Sequence, residues 1–366
     1  MNTELAFSEV LKHFALDLPT NTYGNGHINR TYIVHSSPKY ILQQINTDIF
    51  HRPDQVMDNI QAVTAHLRRK ILAAGGDPKR ETLTLIPTCD GKPYYQAPDG
   101  SCYRLYLFIE NAVSYEFAET PELFAASAHA FGKFQKMLAD FPSEKLYETI
   151  PNFHNTGDRL RIFREALAAN KSGRADSVKE EIAFVLERAE EMTTVTDAIA
   201  DGSVPLRVTH NDTKLNNVML DSKTGEGVCV IDLDTVMPGS LLYDYGDSLR
   251  FGASTGSEDE QDLSKISFDL TYFEAYTDAF LQELGDSITP REVELLPFSA
   301  KLLTLECGMR FLTDHIDGDT YFRIHRENHN LDRCRTQFKL VADIESKMNA
   351  MKAIVEKCCK KYGIKF

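Results

Sequence analysis

The amino-acid sequence predicts an α+β protein of two lobes, a small N-terminal lobe with an antiparallel sheet over residues 1–110 and a larger, mainly helical lobe over residues 111–366. Three observations predict this division. Short β-rich runs dominate up to about residue 110, apolar residues recur at helical spacing afterwards, and a single β-hairpin interrupts the helical part. The length of 366 residues also exceeds the roughly 250 to 300 residues that one hydrophobic core usually serves.

The N-terminal lobe is expected to begin with a short helix over residues 5–14. A glycine-containing loop follows, YGNGHIN at 23–29, and it leads into a hairpin whose strands carry Tyr32 and Val34 and then residues 40–45. An amphipathic helix starts after Pro53, because apolar residues recur at helical spacing beyond it. Further strands are expected near 82–87 and 102–109.

The C-terminal lobe is expected to be helical from about residue 124, where apolar residues again recur at helical spacing, to a lysine-rich helix over the last 30 residues. The exception is a β-hairpin with strands at 218–220 and 228–231, joined by the turn DSKTGEG. A polar octamer, HNDTKLNN at 210–217, runs directly into this hairpin.

The octamer and the hairpin carry the chemistry. An H-x-D-x-K-x-x-N pattern followed by a hairpin and then by Asp232 is typical of protein kinases and their small-molecule relatives, so we expect a protein-kinase-like fold. Asp212 would accept the proton of the acceptor hydroxyl, and Lys214 would lie near the γ-phosphate of ATP. Asn217 and Asp232 would bind Mg²⁺ and meet across the hairpin, with His210 bracing the loop.

The nucleotide is expected to contact the N-terminal lobe. Gly24, Asn25 and Gly26 form the loop over the phosphates, and Phe108 and Glu110 belong to the segment 106–110 that would contact adenine. One feature departs from the kinase pattern, because Gln43 occupies the strand position where kinases carry a phosphate-pairing lysine. No glutamate occurs in the helix of residues 54–70 either, so the lysine–glutamate pair is missing as a unit.

Six stretches of the sequence are more specific than general kinase motifs: YGNGHIN at 23–29, YILQQ at 40–44, LRVTHNDTKLNN at 206–217, MPGS at 237–240, RFGAST at 250–255 and ECGMRF at 306–311. With these stretches the chain resembles the aminoglycoside phosphotransferase superfamily, and more narrowly the N-acetylhexosamine 1-kinases, over essentially its whole length. This resemblance implies ATP-dependent phosphorylation of the anomeric hydroxyl of N-acetylglucosamine and N-acetylgalactosamine. It also implies that His27, Asn29, Asp212, Arg310 and Tyr321 contact the sugar.

Composition limits the partners. The net charge of −14 repels phosphate backbones, so neither nucleic acid nor an anionic membrane is an expected partner. The N-terminus lacks the features of an export signal, no run of about 18 apolar residues occurs, and the seven scattered cysteines indicate reduced thiols. We therefore expect a cytoplasmic monomer whose partners are ATP and a small sugar.

Alternatives remain at this stage. The acceptor could be another small alcohol, such as an aminoglycoside, choline or methylthioribose, and an acidic chain would suit a cationic one. The missing lysine–glutamate pair raises the possibility of a non-catalytic nucleotide or sugar sensor. Two motifs favour other chemistry: GASTG at 252–256 matches a hydrolase elbow, and His325 and His329 have metal-ligand spacing. Their surroundings fit neither role, and Asp244 and Asp247 are expected to brace the octamer through buried hydrogen bonds.

Overall fold

The computed structural model of the protein describes residues 3–23 and 28–366. These residues cluster into two compact units, each assembled from several stretches of the chain. The first comprises residues 1–114, 140–151 and 218–238, and the second comprises residues 115–139, 152–217 and 239–366. The boundary predicted near residue 110 remains a prediction about where nucleotide binding and acceptor binding divide.

The first unit is built on an antiparallel sheet. Its strands and helices, numbered along the whole chain, are α1 (Thr3–Lys12), β1 (Thr20–Thr22), β2 (Arg30–Val34), β3 (Tyr40–Ile45), α2 (Pro53–Ala73), α3 (Pro78–Glu81), β4 (Leu85–Ile86), β5 (Tyr95–Gln96), β6 (Cys102–Leu107), β7 (Ala112–Val113), β9 (Val218–Asp221) and β10 (Gly227–Val230). The sheet order is β1-β2-β3-β6-β4, with β5 also paired to β6. The predicted hairpin and the long helix after Pro53 are confirmed, whereas the strand expected near 82–87 shortens to Leu85–Ile86.

The two faces of this sheet differ, because successive side chains of a strand point to opposite sides. One face carries Leu42 and Leu105, which pack with Phe7 and Leu11 of α1 into a buried cluster. The opposite face carries Gln43 and Arg104, which lie directly across from each other on β3 and β6. A polar pair on this face of the sheet is the first indication of a site.

The hairpin of β9 and β10 was expected within the helical lobe, but it clusters with the first unit. The reason is strand pairing. β9 pairs on its other edge with the short strand β7, where Ala112 lies opposite Asp221, so the three strands form a second antiparallel sheet. Pairing satisfies backbone donors and acceptors that sequence periodicity does not reveal.

The second unit is mainly helical. Its core joins α5 (Thr156–Ala169), α6 (Lys179–Leu186), α10 (Pro290–Asp317) and α11 (His329–Tyr362) through buried residues such as Phe163, Leu312 and Phe338. No helix among the described residues is long and apolar enough to cross a membrane. The elements are α4 (Pro121–Leu138), α5 (Thr156–Ala169), α6 (Lys179–Leu186), α7 (Thr194–Ala200), β8 (Arg207–Thr209), α8 (Leu241–Gly252), α9 (Leu270–Leu284), α10 (Pro290–Asp317) and α11 (His329–Tyr362), and β11 (Met237–Gly239) lies at the division between the units.

Candidate active site

The polar octamer follows β8 and is held from α8 by a buried carboxylate. Asp244 accepts hydrogen bonds from the backbone N–H groups of His210 at 2.9 Å and Asn211 at 2.7 Å. Asp247, one turn along α8, accepts from the backbone N–H of Thr213 at 3.2 Å. The expected bracing role of both aspartates is confirmed, and it explains how the loop keeps Asn211 at a positive φ of 65°.

Asp212 lies at the centre of the octamer with its side chain 22% exposed. Its carboxylate pairs with the Nζ of Lys214 at 2.9 Å and accepts a hydrogen bond from the Nδ2 of Asn217 at 3.2 Å. Burial alone would raise the pKa of Asp212, but the charge and hydrogen bond of Lys214 outweigh it and lower this pKa below its usual value. The carboxylate is therefore ionised at neutral pH, as a proton acceptor must be.

The Asn217 side chain, a predicted Mg²⁺ ligand, is oriented by hydrogen bonds to Asp212. Its Nδ2 donates to the main-chain oxygen of Asp212 at 2.8 Å as well as to the carboxylate, so the amide oxygen remains as an acceptor. An amide oxygen and a carboxylate are hard oxygen donors of the type that Mg²⁺ prefers. Asp232 supplies such a carboxylate in the first unit, so the donor chemistry of the two residues fits Mg²⁺.

In the first unit, Asp232 immediately precedes a short 3-10 turn, Leu233–Thr235, and has φ 58° and ψ 58°. Two residues later, the buried carboxylate of Asp234 forms an ion pair with the guanidinium of Arg104. The second oxygen of Asp234 accepts from the Nδ2 of Asn29 at 2.6 Å. The Oδ1 of Asn29 accepts from the backbone N–H of Asn46 at 2.9 Å, so both polar atoms of the Asn29 side chain are hydrogen-bonded within this unit.

The expected nucleotide-contacting residues are partly described. Phe108 is half-buried, with the Nζ of Lys39 5.2 Å from its ring centre and the ring of Tyr23 in edge contact at 6.0 Å. Glu110 is exposed and pairs with Lys39 at 3.4 Å. Gly24, Asn25, Gly26 and His27 lie outside the described residues, so their predicted contacts with ATP and sugar remain predictions.

Arg310 and Tyr321, predicted from the resemblance to contact the sugar, lie side by side in the second unit. The guanidinium carbon of Arg310 is 6.0 Å from the Tyr321 ring centre, 5.5 Å from that of Phe322 and 5.8 Å from that of Phe153. Buried Asp314 fixes this segment, since it accepts from the backbone N–H groups of Thr320, Tyr321 and Phe322. Within residues 28–366, Arg310 forms no hydrogen bond or ion pair with another side chain.

A second arginine, Arg159, belongs to the same cluster. Its guanidinium donates to the main-chain oxygen of Phe153 at 2.9 Å, and its Nε is buried without a hydrogen-bond partner among the described residues. Burial, followed by the positive charge of Arg310, lowers the pKa of Arg159. Two neighbouring guanidinium groups therefore keep donors that the described part of the chain does not use.

A buried ion pair connects this cluster to the octamer. The Nδ1 of His154 bonds the carboxylate of Glu306 at 2.9 Å, and its Nε2 bonds the main-chain oxygen of Asn211 at 3.0 Å. Thr156 donates to the other oxygen of Glu306 at 2.6 Å. Burial would raise the pKa of Glu306, but the charge of His154 and that of Arg310, one helical turn later on α10, lower it.

The two competing motifs are part of the scaffold. Ser254 follows helix α8 instead of a strand, and its hydroxyl donates to the main-chain oxygen of Gly256, so the segment is not a nucleophile elbow. His329 is buried and bonds Asp259 at 3.0 Å. No group of three or more metal-binding His, Cys, Asp or Glu side chains occurs among residues 3–23 and 28–366.

Four residues of this arrangement were not predicted from the sequence: Arg104, Arg159, His154 and Glu306. Only Arg104 had a local signal, because it is a single charged residue within the otherwise uncharged strand CYRLYL. Arg159 and Glu306 lie on helices at unremarkable spacing, and His154 lies in the turn before α5. Their positions depend on long-range contacts, such as the one between His154 and Glu306, 152 residues apart.

Comparisons with known proteins identify a family and several solved structures of similar fold. The model of a family described as the phosphotransferase enzyme family (APH) matches residues 20–285. Similar solved structures include an aminoglycoside phosphotransferase from Alicyclobacillus acidocaldarius, with 12% identity, a TM-score of 0.63 and coverage of 95% of this chain and 96% of that chain. A choline kinase from Cryptosporidium parvum has 13% identity and a TM-score of 0.62, with 96% and 98% covered. A microcompartment-associated aminopropanol kinase has 15% identity and a TM-score of 0.59, with 95% and 98% covered.

At these identities the structural likeness concerns the fold. It confirms the predicted class, an α+β kinase-like fold with an antiparallel sheet in the N-terminal region and helices in the C-terminal region. The family match extends over far more than half of the chain and includes both the octamer and Asp232. The chain belongs to the phosphotransferase enzyme family.

Proposed function

We propose that this phosphotransferase is an N-acetylhexosamine 1-kinase that uses ATP and Mg²⁺. The anomeric hydroxyl of N-acetylglucosamine or N-acetylgalactosamine attacks the γ-phosphorus of ATP, a new P–O bond forms, and the bond to ADP breaks. The hydroxyl proton passes to Asp212, which is ionised and held by Lys214 and Asn217. The products are the sugar 1-phosphate and ADP.

Mg²⁺ would be bound by Asn217 and Asp232, whose oxygen donors suit it, and would neutralise charge on the phosphates. The protein supplies the orientation of both ligands. Asn217 is fixed by its two hydrogen bonds to Asp212, and Asp232 is fixed by the turn that follows it. Lys214 adds positive charge beside Asp212, where the transferred phosphoryl group would lie.

The observation that carries the choice of acceptor is the cluster of Arg159 and Arg310 beside Tyr321. Two guanidinium groups with donors that the described residues leave unused would repel a cationic acceptor and favour one rich in hydroxyl and carbonyl oxygens. The exposed ring of Tyr321 offers an apolar surface to a sugar ring. A neutral N-acetylhexosamine meets both requirements.

The second candidate is a kinase of another small alcohol, including a cationic one. The overall charge of −14 favours a cationic acceptor, and the solved structures similar in fold include choline and aminopropanol kinases. Long-range charge acts on encounter, whereas the arginine cluster acts at contact distance, where repulsion between like charges is strongest. We therefore favour the neutral sugar.

A substrate panel tests the proposal. ADP release would be measured with Mg²⁺ and ATP on both N-acetylhexosamines, glucose, choline, aminopropanol and an aminoglycoside, and NMR would locate the phosphate on the product. We expect turnover on the N-acetylhexosamines with phosphate at the anomeric carbon. Turnover on the cationic alcohols alone would refute the sugar assignment, and Mg-ATP binding without any turnover would favour a sensor.

Asp212→Asn tests the reaction itself. Loss of the proton acceptor should lower kcat by about 10²- to 10⁴-fold with little change in unfolding temperature, because the asparagine fills the same space. Glu116→Gln is the matched control. It also neutralises a carboxylate near the octamer, one that contacts only Asn216 among the described residues, and should leave kcat within about threefold of wild type.

A further inference from the structure

The missing lysine–glutamate pair leaves the first unit without the usual cation of β3. Gln43 occupies that position, and the residue directly opposite on β6 is Arg104. Side chains of directly opposed residues emerge on the same face of a sheet and contact each other. A cation is therefore present on the same face of the sheet, carried by the neighbouring strand.

The Arg104 side chain contacts the amide of Gln43, the carboxylate of Asp234 and the ring of Tyr106. Its Nε and one terminal nitrogen donate to the Oε1 of Gln43 at 3.0 Å and 2.8 Å, and the other terminal nitrogen pairs with the carboxylate of Asp234. Its ring contact is Tyr106, whose centre is 5.2 Å from the guanidinium carbon. The Arg104 side chain is only 1% exposed, so these contacts are its environment.

Gln43 is fixed in turn, because its Nε2 donates to the hydroxyl of Thr31 at 3.1 Å. The amide therefore presents its oxygen to Arg104 and its nitrogen to β2, an arrangement in which glutamine acts as an aligned acceptor. A lysine at position 43 would present a second cation to Arg104. Gln43 thus takes the place of the usual lysine on β3, and Arg104 supplies a cation from the neighbouring strand β6.

The ion pair fixes the turn that follows Asp232. The side chain of Asp234 bonds Arg104 and Asn29, and its main-chain oxygen accepts a hydrogen bond of 3.1 Å from the hydroxyl of Thr149. The turn is therefore attached to β6, to the segment before β2 and to the segment at 140–151. Asp232 itself has φ 58°, in the left-handed region that L residues adopt less readily than glycine, so the contacts of the following turn help to hold it there.

We propose that Arg104 replaces the lysine–glutamate pair as the positioning residue for the metal-binding turn. Arg104 acts through Asp234 and holds the Asp232 carboxylate in position to bind Mg²⁺ together with a nucleoside diphosphate. A guanidinium suits this position better than an ammonium, because its planar fork reaches Gln43 and Asp234 at once, whereas an ammonium is a point charge. This inference rests on the proposed function for the identity of the ligand.

Calorimetry of ADP binding, with and without Mg²⁺, tests the inference without any acceptor or turnover. In wild-type protein Mg²⁺ should tighten ADP binding. We call the ratio of ADP affinity with Mg²⁺ to ADP affinity without Mg²⁺ the Mg²⁺-dependent gain. In Arg104→Gln this gain should shrink by about 10- to 100-fold, while the affinity for ADP without metal changes by less than about threefold. A merely structural role would lower the unfolding temperature and leave the gain intact in the folded protein, which would overturn the inference.

Three further variants keep the test decisive if Arg104→Gln does not fold. Gln43→Ala, at a half-buried position, removes the aligned acceptor and should reduce the gain by at least about threefold. Gln43→Lys combined with Arg104→Gln returns the cation to β3 and should recover part of the gain. Gln44→Ala is the matched control on the opposite face of the same strand, and it should behave as wild type.

The outcomes separate this inference from the proposed function. An unchanged Mg²⁺-dependent gain in both Arg104→Gln and Gln43→Ala contradicts the inference, as does a wild-type protein whose ADP binding ignores Mg²⁺. Loss of the gain in these variants, together with no activity on N-acetylhexosamines in wild type, would sink the acceptor assignment and leave the inference standing.

Discussion

Two arginine clusters, one in each unit, show opposite chemistry. In the first unit Arg104 is buried with its charge paired to Asp234 and its remaining donors largely used by Gln43. In the second unit Arg159 and Arg310 lie near each other beside aromatic rings, and donors of both are unused by the described residues.

The difference separates a charge that is paired within the protein from charges that we propose to pair with a ligand. A buried charge needs a partner, and where the chain supplies it the residue is part of the scaffold. Where the described residues leave donors unused, as at Arg159 and Arg310, we propose that a ligand supplies the missing partner. The paired cluster would then position other residues, and the unpaired cluster would bind the acceptor.

The largest expected effect concerns folding. Arg104→Met should lower the free energy of unfolding by about 3–5 kcal/mol, because it leaves the buried carboxylate of Asp234 without its cation. Arg310→Met should change it by less than about 1 kcal/mol, since no hydrogen-bond or ion-pair partner of Arg310 among the described residues is orphaned. Denaturant unfolding of the two variants measures both, and equal losses would break the distinction between paired and unpaired clusters.

The next effect concerns the acceptor. Arg159→Met and Arg310→Met should each raise the KM for the sugar by about 10- to 100-fold, as expected for the loss of about 1.5–3 kcal/mol from hydrogen bonds to a charged group. The KM for ATP should stay within about threefold of wild type. Steady-state kinetics with each substrate varied in turn would show this, and a larger effect on ATP than on sugar would contradict our interpretation of the cluster.

The second unit also contains a paired cluster, the ion pair of His154 with Glu306. This pair predicts that the stability of the protein depends on pH. Both partners of His154 are acceptors, a carboxylate and a main-chain oxygen, so both ring nitrogens must donate and the ring must be protonated. Burial acts to lower the pKa of His154, but the charge of Glu306 outweighs it and raises this pKa above 6.5. The buried histidine therefore keeps its proton in the folded protein to a higher pH than in the unfolded chain.

Because the folded pKa is the higher one, the stability from His154 is fully present below pH 6.5 and is lost as the pH rises through the folded value. Each unit of pKa shift corresponds to about 1.4 kcal/mol. Unfolding free energies measured from pH 6 to pH 9 should fall for wild type and stay flatter for His154→Asn. Parallel curves for the two proteins would show that the imidazole does not carry this charge.

The smallest expected effect concerns Tyr321, which is 70% exposed. Tyr321→Ala should raise the sugar KM by about 2- to 10-fold through the loss of roughly 0.5–1.5 kcal/mol of ring contact, with no change in stability. Phe117→Ala is the matched control, because Phe117 is a similarly exposed ring of the same unit, at 67%. A larger change in sugar KM for Phe117→Ala than for Tyr321→Ala would relocate the acceptor surface.

Much of the fold was predictable because its signals are local. The helix after Pro53 follows from apolar spacing, and the hairpin after Asn217 follows from two β-rich runs around a polar turn. The membership of that hairpin was not predictable, because it depends on pairing with β7, a strand of only two residues. Strands so short carry no periodicity of their own.

The sequence by itself determined the reaction class, since Asp212, Lys214 and Asn217 lie within six positions and their contacts follow from that spacing. Tertiary structure decided which distant charged residues come together. Arg104 meets Asp234 across 130 positions, and Arg159 reaches Arg310 only because α5 packs on α10. Side chains that distant are brought together by strand register and helix packing, which no local pattern records.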